Sequence, residues 1–420
     1  MSQPASVRLA SRVAAVGLLV LLFGVGFFAW SLFDGTGPGQ PAVTPSASAV
    51  AQGTPSASAS ASATALPTPG TGASPSPAPT AIPSPSVPTA GPTARQLIGQ
   101  KLVIRMDGTT PGASLLRRVR RGEIGGVVLF KFNVLDEAHE RVVTDTLQDA
   151  ARAGGQPPLL IMADQEGGEI RTLRWAPPMI SASAAGAAGD TDAVRALGVD
   201  TASALRAAGV NADLAPVADV AGPVSFMANA GRTYGSDPEV VAGMVTAFAD
   251  GLRSGDVLAT LKHFPGIGRV ALNTDRNVQT VTASRDALER DLLPFRRAIA
   301  DGVPIVMLSN ATYTAWDPDH AAGWSRAIAV GLLRDELEFT GVSITDSLNG
   351  TAASRGTGPK WLAAQAARAG TDMIMMTGPE ADTAAAFDDL VARAQSGWLD
   401  TSVLRASYDR ILALKATLGD

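Results

Sequence analysis

Short apolar runs recur along the larger, C-terminal part of this chain, and stretches with helical spacing separate them. The runs are Gly125–Phe130, Leu159–Ala163, Ala212–Val217, Val257–Leu261, Ile305–Leu308, Val342–Thr345 and Met373–Met376. Between them lie Ala-rich segments such as Ala193–Ala208, Pro238–Ser254 and Arg285–Ala300. Continuous apolar strands that alternate with helices require a parallel sheet covered on both faces. Within residues 94–420 this pattern fits an α/β fold of the (β/α)8 type, a TIM barrel, better than a shorter open sheet. The eighth strand is expected near Asn273–Thr280, and Thr401–Leu418 reads as a closing helix.

Polar residues gather where these runs end. Phe130-Lys131-Phe132-Asn133 follows the first, and Asp164-Gln165-Glu166-Gly167-Gly168 the second. Asp219 follows the third, with Arg232 downstream, and Lys262-His263 closes the fourth. Ser309-Asn310 with Tyr313, and then Asp346-Ser347, follow the next two. In a barrel these ends converge on one face, where active sites are built. The stretch Lys262-His263-Phe264-Pro265-Gly266 sets a cation, an imidazole and an aromatic ring side by side before a Pro-Gly loop, which suits a strand delivering functional groups to that face.

The N-terminal part differs. Val13 to Phe33 is an uncharged apolar run, preceded by Arg8 and Arg12 and followed by Asp34. It has the length of a bilayer-spanning helix, and it is longer than the apolar core of a cleaved signal peptide. The preceding arginines place residues 1–34 as a cytoplasmic stub and anchor, with the rest of the chain outside the membrane. Residues 35–93 are Ala, Ser, Pro, Thr and Gly with almost no charge, a composition that cannot build a core. Such a disordered linker reaches on the order of 150 Å when extended. The expectation is a cell-membrane protein, single-pass, whose folded domain at 94–420 stands away from the bilayer.

Composition excludes several chemistries. The net charge of −5 gives no reason to expect a nucleic-acid partner. With no cysteine there is no disulfide, thiolate metal site or cysteine nucleophile. His139, His263 and His320 are the only histidines, too few for a multi-histidine metal centre. No metal and no cofactor are expected, and a monomer is.

The motifs together resemble glycoside hydrolase family 3, in particular its single-domain β-N-acetylhexosaminidases. DQEGG at Asp164–Gly168, APVADV at Ala215–Val220, KHFPG at Lys262–Gly266 and LLRDELEFTGVSITDSL at Leu332–Leu348 occur in the family's order across nearly all of residues 94–420. The resemblance implies a metal-free, retaining hydrolase acting on a carbohydrate. Asp346 would be its nucleophile, and its place directly after the run VSIT fits that role. Asp164 would accept hydrogen bonds from sugar hydroxyls, Lys262 and His263 would donate to them, and Arg232 would contact the sugar. A retaining mechanism also needs a proton donor, about 5–5.5 Å from the nucleophile when both are carboxyls.

Two positions depart from the family pattern. Ile267 stands where KHFPGHG has a histidine, and Asn273-Thr274-Asp275 takes the place of an Asp-Ser-His triplet whose histidine is the acid/base. Asp275 becomes the candidate proton donor, which requires a pKa raised towards neutrality. Arg269 and Arg276, close in sequence, are expected to oppose that. Thr172 stands where the family often has a sugar-binding arginine, for which Arg171 or Arg174 could compensate.

The leading expectation is therefore a membrane-tethered, extracytoplasmic β-N-acetylhexosaminidase acting on wall-derived glycans that contain N-acetylglucosamine. Two others stand beside it. One is a barrel that has lost turnover and binds glycan or a wall partner. The other is a β-glycosidase of different sugar specificity, or a phosphorylase.

Overall fold

The computed structural model describes residues 91–418, so the Val13–Phe33 run and the linker up to residue 90 lie outside the described residues. Among the described residues no helix is long and apolar enough to cross a membrane.

Eight parallel strands form one sheet: β1 (Leu102–Arg105), β2 (Gly126–Leu129), β3 (Leu160–Ala163), β4 (Ala212–Asp213), β5 (Leu258–Phe264), β6 (Ile305–Leu308), β7 (Val342–Thr345) and β8 (Ile374–Met376). The order across the sheet is β7-β6-β5-β4-β3-β2-β1-β8. Its two ends meet, because Thr345 N donates to Met373 O (3.0 Å) and Met373 N to Ser343 O (2.8 Å). The sheet is thus a closed barrel, as the alternating pattern implies.

The eighth strand is not near Asn273–Thr280. It is β1, at the start of the domain, pairing with β2 and β8. Leu-Val-Ile-Arg is short and flanked by Lys101 and Arg105, so it does not stand out as an apolar run. Residues 273–279 form a loop instead. Thr280–Val281, just beyond, pairs with Thr312–Tyr313 in a separate three-stranded sheet completed by Asp317–Ala321.

Side chains alternate along the strands, as extended backbone requires. Val103, Val128, Leu160, Met162, Ile305, Met307, Val342, Ile344 and Met375 fill the barrel. Leu102, Ile104, Val127, Leu129, Ile161, Val306, Leu308, Ile374 and Met376 pack outward in the larger core beneath the helices. Ile411 and Leu414, from the closing helix Thr401–Lys415, join the inner cluster and seal the barrel. The surrounding helices begin where side-chain oxygens cap free backbone N–H groups, as Asp136, Asp190 and Ser284 do for Glu137–Ala153, Thr191–Ala207 and Arg285–Ala300. With one end closed, polar groups collect at the other, where the strands' C-termini point.

Candidate active site

β5 delivers the first cluster. Lys262, at 2% exposure, extends its Nζ to Asp164 Oδ1 and to Glu166 Oε1, both at 2.6 Å. Arg232 grips the same Glu166 with two parallel bonds, Nε to Oε2 at 2.7 Å and Nη2 to Oε1 at 2.6 Å. Burial alone would raise the Glu166 pKa, but Arg232 and Lys262 outweigh it and hold it down to about 2. Burial likewise works against the charge on Lys262, and Asp164 and Glu166 overcome it, so its pKa lies above the ordinary lysine value. Glu166, Lys262 and Arg232 therefore carry fixed charge at any physiological pH. Below it, Asp213 is fully buried, with Oδ1 accepting from Gln165 N at 3.0 Å. Burial pushes its pKa up to about 8.

His263 is held by Asp219. Asp219 Oδ1 accepts from Ile267 N (2.7 Å), and Oδ2 lies 2.8 Å from His263 Nδ1. A carboxylate that already accepts backbone N–H bonds calls for the proton on Nδ1, which leaves Nε2 free. The following loop is braced against its neighbours. Tyr313 donates its hydroxyl to Gly266 O at 2.9 Å. A Cβ on Gly268 would lie 1.8 Å from Val220 O, so only glycine lets this loop approach the β4 loop so closely.

Among the described residues no cation is bonded to the second cluster. Asp346 follows β7, with its N–H bonded to Leu308 O at 2.9 Å. Its Oδ1 accepts from Ser347 N at 2.7 Å. Asp275 comes from the loop after β5, where Asn273 Oδ1 caps its N–H at 2.7 Å. Asn310 Nδ2 donates to Asp275 Oδ1 at 3.3 Å and to Ser347 O at 2.9 Å, linking the two acids' loops. Burial raises the Asp275 pKa and the charge of Asp346 raises it further, to about 7, against weaker lowering by His263, Asn310 and Arg232. The expected opposition from Arg269 and Arg276 does not arise. Arg269 is turned away into an ion pair with Asp291, and Arg276 is exposed.

Asp164, Arg232, Lys262, His263, Asp275 and Asp346 all line one cavity of about 240 Å³. A larger hollow of about 550 Å³ lies at the opposite end, beside Gln156, Pro158 and Asn211 just ahead of β3 and β4, and holds none of them. In barrels of this type that lower end serves stability.

A family model for the glycosyl hydrolase family 3 N terminal domain matches residues 94–414. The chain belongs to glycosyl hydrolase family 3. It is 34% identical over 316 residues to a beta-hexosaminidase of Stenotrophomonas maltophilia, covering 72% of this chain and 89% of that one. An uncharacterized secreted glycosyl hydrolase of Arthroderma benhamiae is 32% identical over 329 residues, covering 76% and 93%. Among solved structures, a family 3 beta-N-acetylglucosaminidase from Paenibacillus superposes with a TM-score of 0.73 at 33% identity, over 77% of this chain and 62% of that one. A beta-N-acetylhexosaminidase from Beutenbergia cavernae gives 0.71 at 30% identity, over 77% and 98%. The chain is a glycoside hydrolase.

Against that family frame, several polar residues at strand ends prove structural. Asn133 is fully buried, donating to Met106 O and Gly108 O and accepting from Phe130 N. Lys131 donates outward to Glu169 O. Ser309 and Tyr313 bond each other behind the loop. Arg171 donates to Gly168 O and Arg174 O, Arg174 is exposed, and neither lines the cavity. Conversely Glu166, Asp219 and Asn310, which the sequence places at strand ends without a specific role, shape the site. For Glu166 the signal is its spacing from Asp164, because residues two apart on an extended segment share a face. Asp219 and Asn310 act through side chains distant in sequence, a signal one chain does not carry.

Proposed function

We propose that this chain is a retaining β-N-acetylhexosaminidase acting on wall-derived glycans that contain N-acetylglucosamine, exported and held to the membrane by the Val13–Phe33 run. The observation that carries the catalytic part is the pairing of Asp346 with Asp275, whose pKa of about 7 lets it hold a proton near neutrality. In the first step a carboxylate oxygen of Asp346 bonds to the anomeric carbon. As the glycosidic C–O bond breaks, Asp275 gives its proton to the leaving oxygen. In the second step a water attacks the same carbon, Asp275 takes the water's proton, and Asp346 leaves as carboxylate. Asp164, Lys262, Arg232 and His263 hold the sugar hydroxyls, with the charges on Lys262 and Arg232 fixed by Glu166. The relatives named hexosaminidase and acetylglucosaminidase support the choice of sugar.

The test is turnover of chromogenic β-N-acetylglucosaminide against β-glucoside, each with and without phosphate. Preferential release from the N-acetyl sugar, independent of phosphate, is the expected result. Preference for glucoside moves the specificity, and acceleration by phosphate moves the acceptor. Binding of glycan without turnover on either substrate overturns the mechanism. Tethering is tested separately by protease on cells with the wall removed, where cleavage in the Ala/Ser/Pro linker should release a soluble fragment. Full-length chain in the cytosol refutes it.

A further inference from the structure

Asp275 sits on a loop, and a proton donor must meet the leaving oxygen within hydrogen-bond reach. Two contacts tie it to the segment that follows the nucleophile. Asn310, at 1% exposure, donates from a single Nδ2 to both Asp275 Oδ1 and Ser347 O. A main-chain carbonyl only accepts, so the bond to Ser347 forces the nitrogen to face this way. The consequence is that Asn310 Oδ1 is buried without a hydrogen-bond partner among the described residues. The second contact is Gly350, in the helix Leu348–Ser354 that follows Asp346. A Cβ there would lie 2.6 Å from Asp275 O and 3.2 Å from Asp275 Cβ.

We propose that Asn310 and Gly350 are positioning residues for the proton donor. Asn310 occupies Oδ1 of Asp275 so that Oδ2 carries the proton to the leaving group, and Gly350 lets the donor's loop seat against the helix behind the nucleophile. This rests on the reading of Asp275 as the acid. The other side chains acting on Asp275 are Asp346, His263 and Arg232, so removing the Asn310 donor leaves those influences in place.

The experiment uses the full-length protein as Asn310→Ala, Gly350→Ala and Asp275→Ala, with circular dichroism confirming the fold. Alanine is the better helix former, so Gly350→Ala keeps its helix and tests the contact alone. Each variant is assayed on aryl β-N-acetylglucosaminides with a good leaving group (2,4-dinitrophenol) and a poor one (phenol), across pH. Asn310→Ala and Gly350→Ala are expected to lose ~10-fold or more in kcat/KM on the phenyl substrate and much less on the dinitrophenyl one. In Asn310→Ala the alkaline limb of the profile should also move up by roughly half a pH unit or more, because a hydrogen bond favouring the carboxylate is gone. Equal losses on both substrates with an unmoved limb overturn the proposal. If Asp275→Ala still discriminates between leaving groups in that case, the acid assignment stands. If Asp275→Ala shows no discrimination, the acid assignment falls and the proposal with it.

Discussion

Two acidic clusters share one cavity and hold their charge in opposite ways. Glu166 and Asp164 lie against Lys262 and Arg232, and pairing keeps Glu166 ionised down to about pH 2. Among the described residues no cation bonds Asp275 or Asp346; Asp275 has the neutral amide of Asn310 and the charge of Asp346 beside it, and its pKa rises to about 7. Burial penalises charge in both places, so the placement of cations decides which acid is a fixed electrostatic feature and which can exchange a proton. A hydrolase needs both kinds, one to hold a sugar's hydroxyls and one to move a proton at its anomeric oxygen.

The largest expected effect lies in the second cluster. Asp346→Asn should fold normally and lose activity by several orders of magnitude, because an amide cannot form the glycosyl ester. A 2-fluoro glycosyl inhibitor should label the wild-type protein at Asp346, as peptide mass mapping would reveal. Near-normal turnover in the variant would dissolve the distinction between the clusters. Next comes Asp275→Ala, expected to slow substrates with poor leaving groups by roughly 10²–10⁴-fold and activated aryl glycosides much less. Added azide should restore part of the turnover, since it attacks the intermediate without a general base. Loss without rescue on either substrate class makes Asp275 a loop-capping residue.

The two clusters also differ in how far the sequence revealed them. Asp164, Lys262, His263 and Arg232 lie at strand ends or in motifs, and the alternation of apolar runs and helices was enough to bring those ends together. β1 escaped because three apolar residues between two cations carry almost no periodic signal. The second cluster was half legible. Asp346 follows a clear strand, but the character of Asp275 depends on which groups actually face it. Sequence proximity suggested Arg269 and Arg276. The fold gives Arg269 to Asp291 and turns Asp346 and Asn310 towards Asp275 instead. Long-range pairing of this kind sets pKa values and is not written in neighbouring positions.

Glu166→Gln tests the paired cluster. The substitution keeps the shape and removes the charge that Arg232 and Lys262 share. Asp164 still faces Lys262, so Arg232 bears most of the loss. Breaking a buried ion pair from one side costs roughly 3–5 kcal/mol, and the lower end is expected here because one carboxylate remains. Urea unfolding should show a lowered midpoint, and KM for the sugar should rise. An unchanged midpoint would mean that the network is no more than a solvated surface pair.

The smallest effect is also the one that separates the clusters most directly. With Asp275 near 7, its protonated form predominates below that pH and gives way above it, so kcat/KM on an unactivated β-N-acetylglucosaminide should fall as pH rises through about 7. The decline should approach roughly tenfold per pH unit beyond the limb. Glu166, held down to about 2, stays ionised throughout this range and contributes no limb. Asp213, raised to about 8 beneath Lys262, is the competing source. Asp213→Asn keeps an acceptor for Gln165 N and cannot ionise. If the limb belongs to Asp275, it should persist in Asp213→Asn and disappear in Asp275→Ala, both assayed on the same unactivated substrate. A limb that vanishes with Asp213 instead would assign the titration to the carboxyl under the paired cluster and remove the proton donor's main electrostatic support.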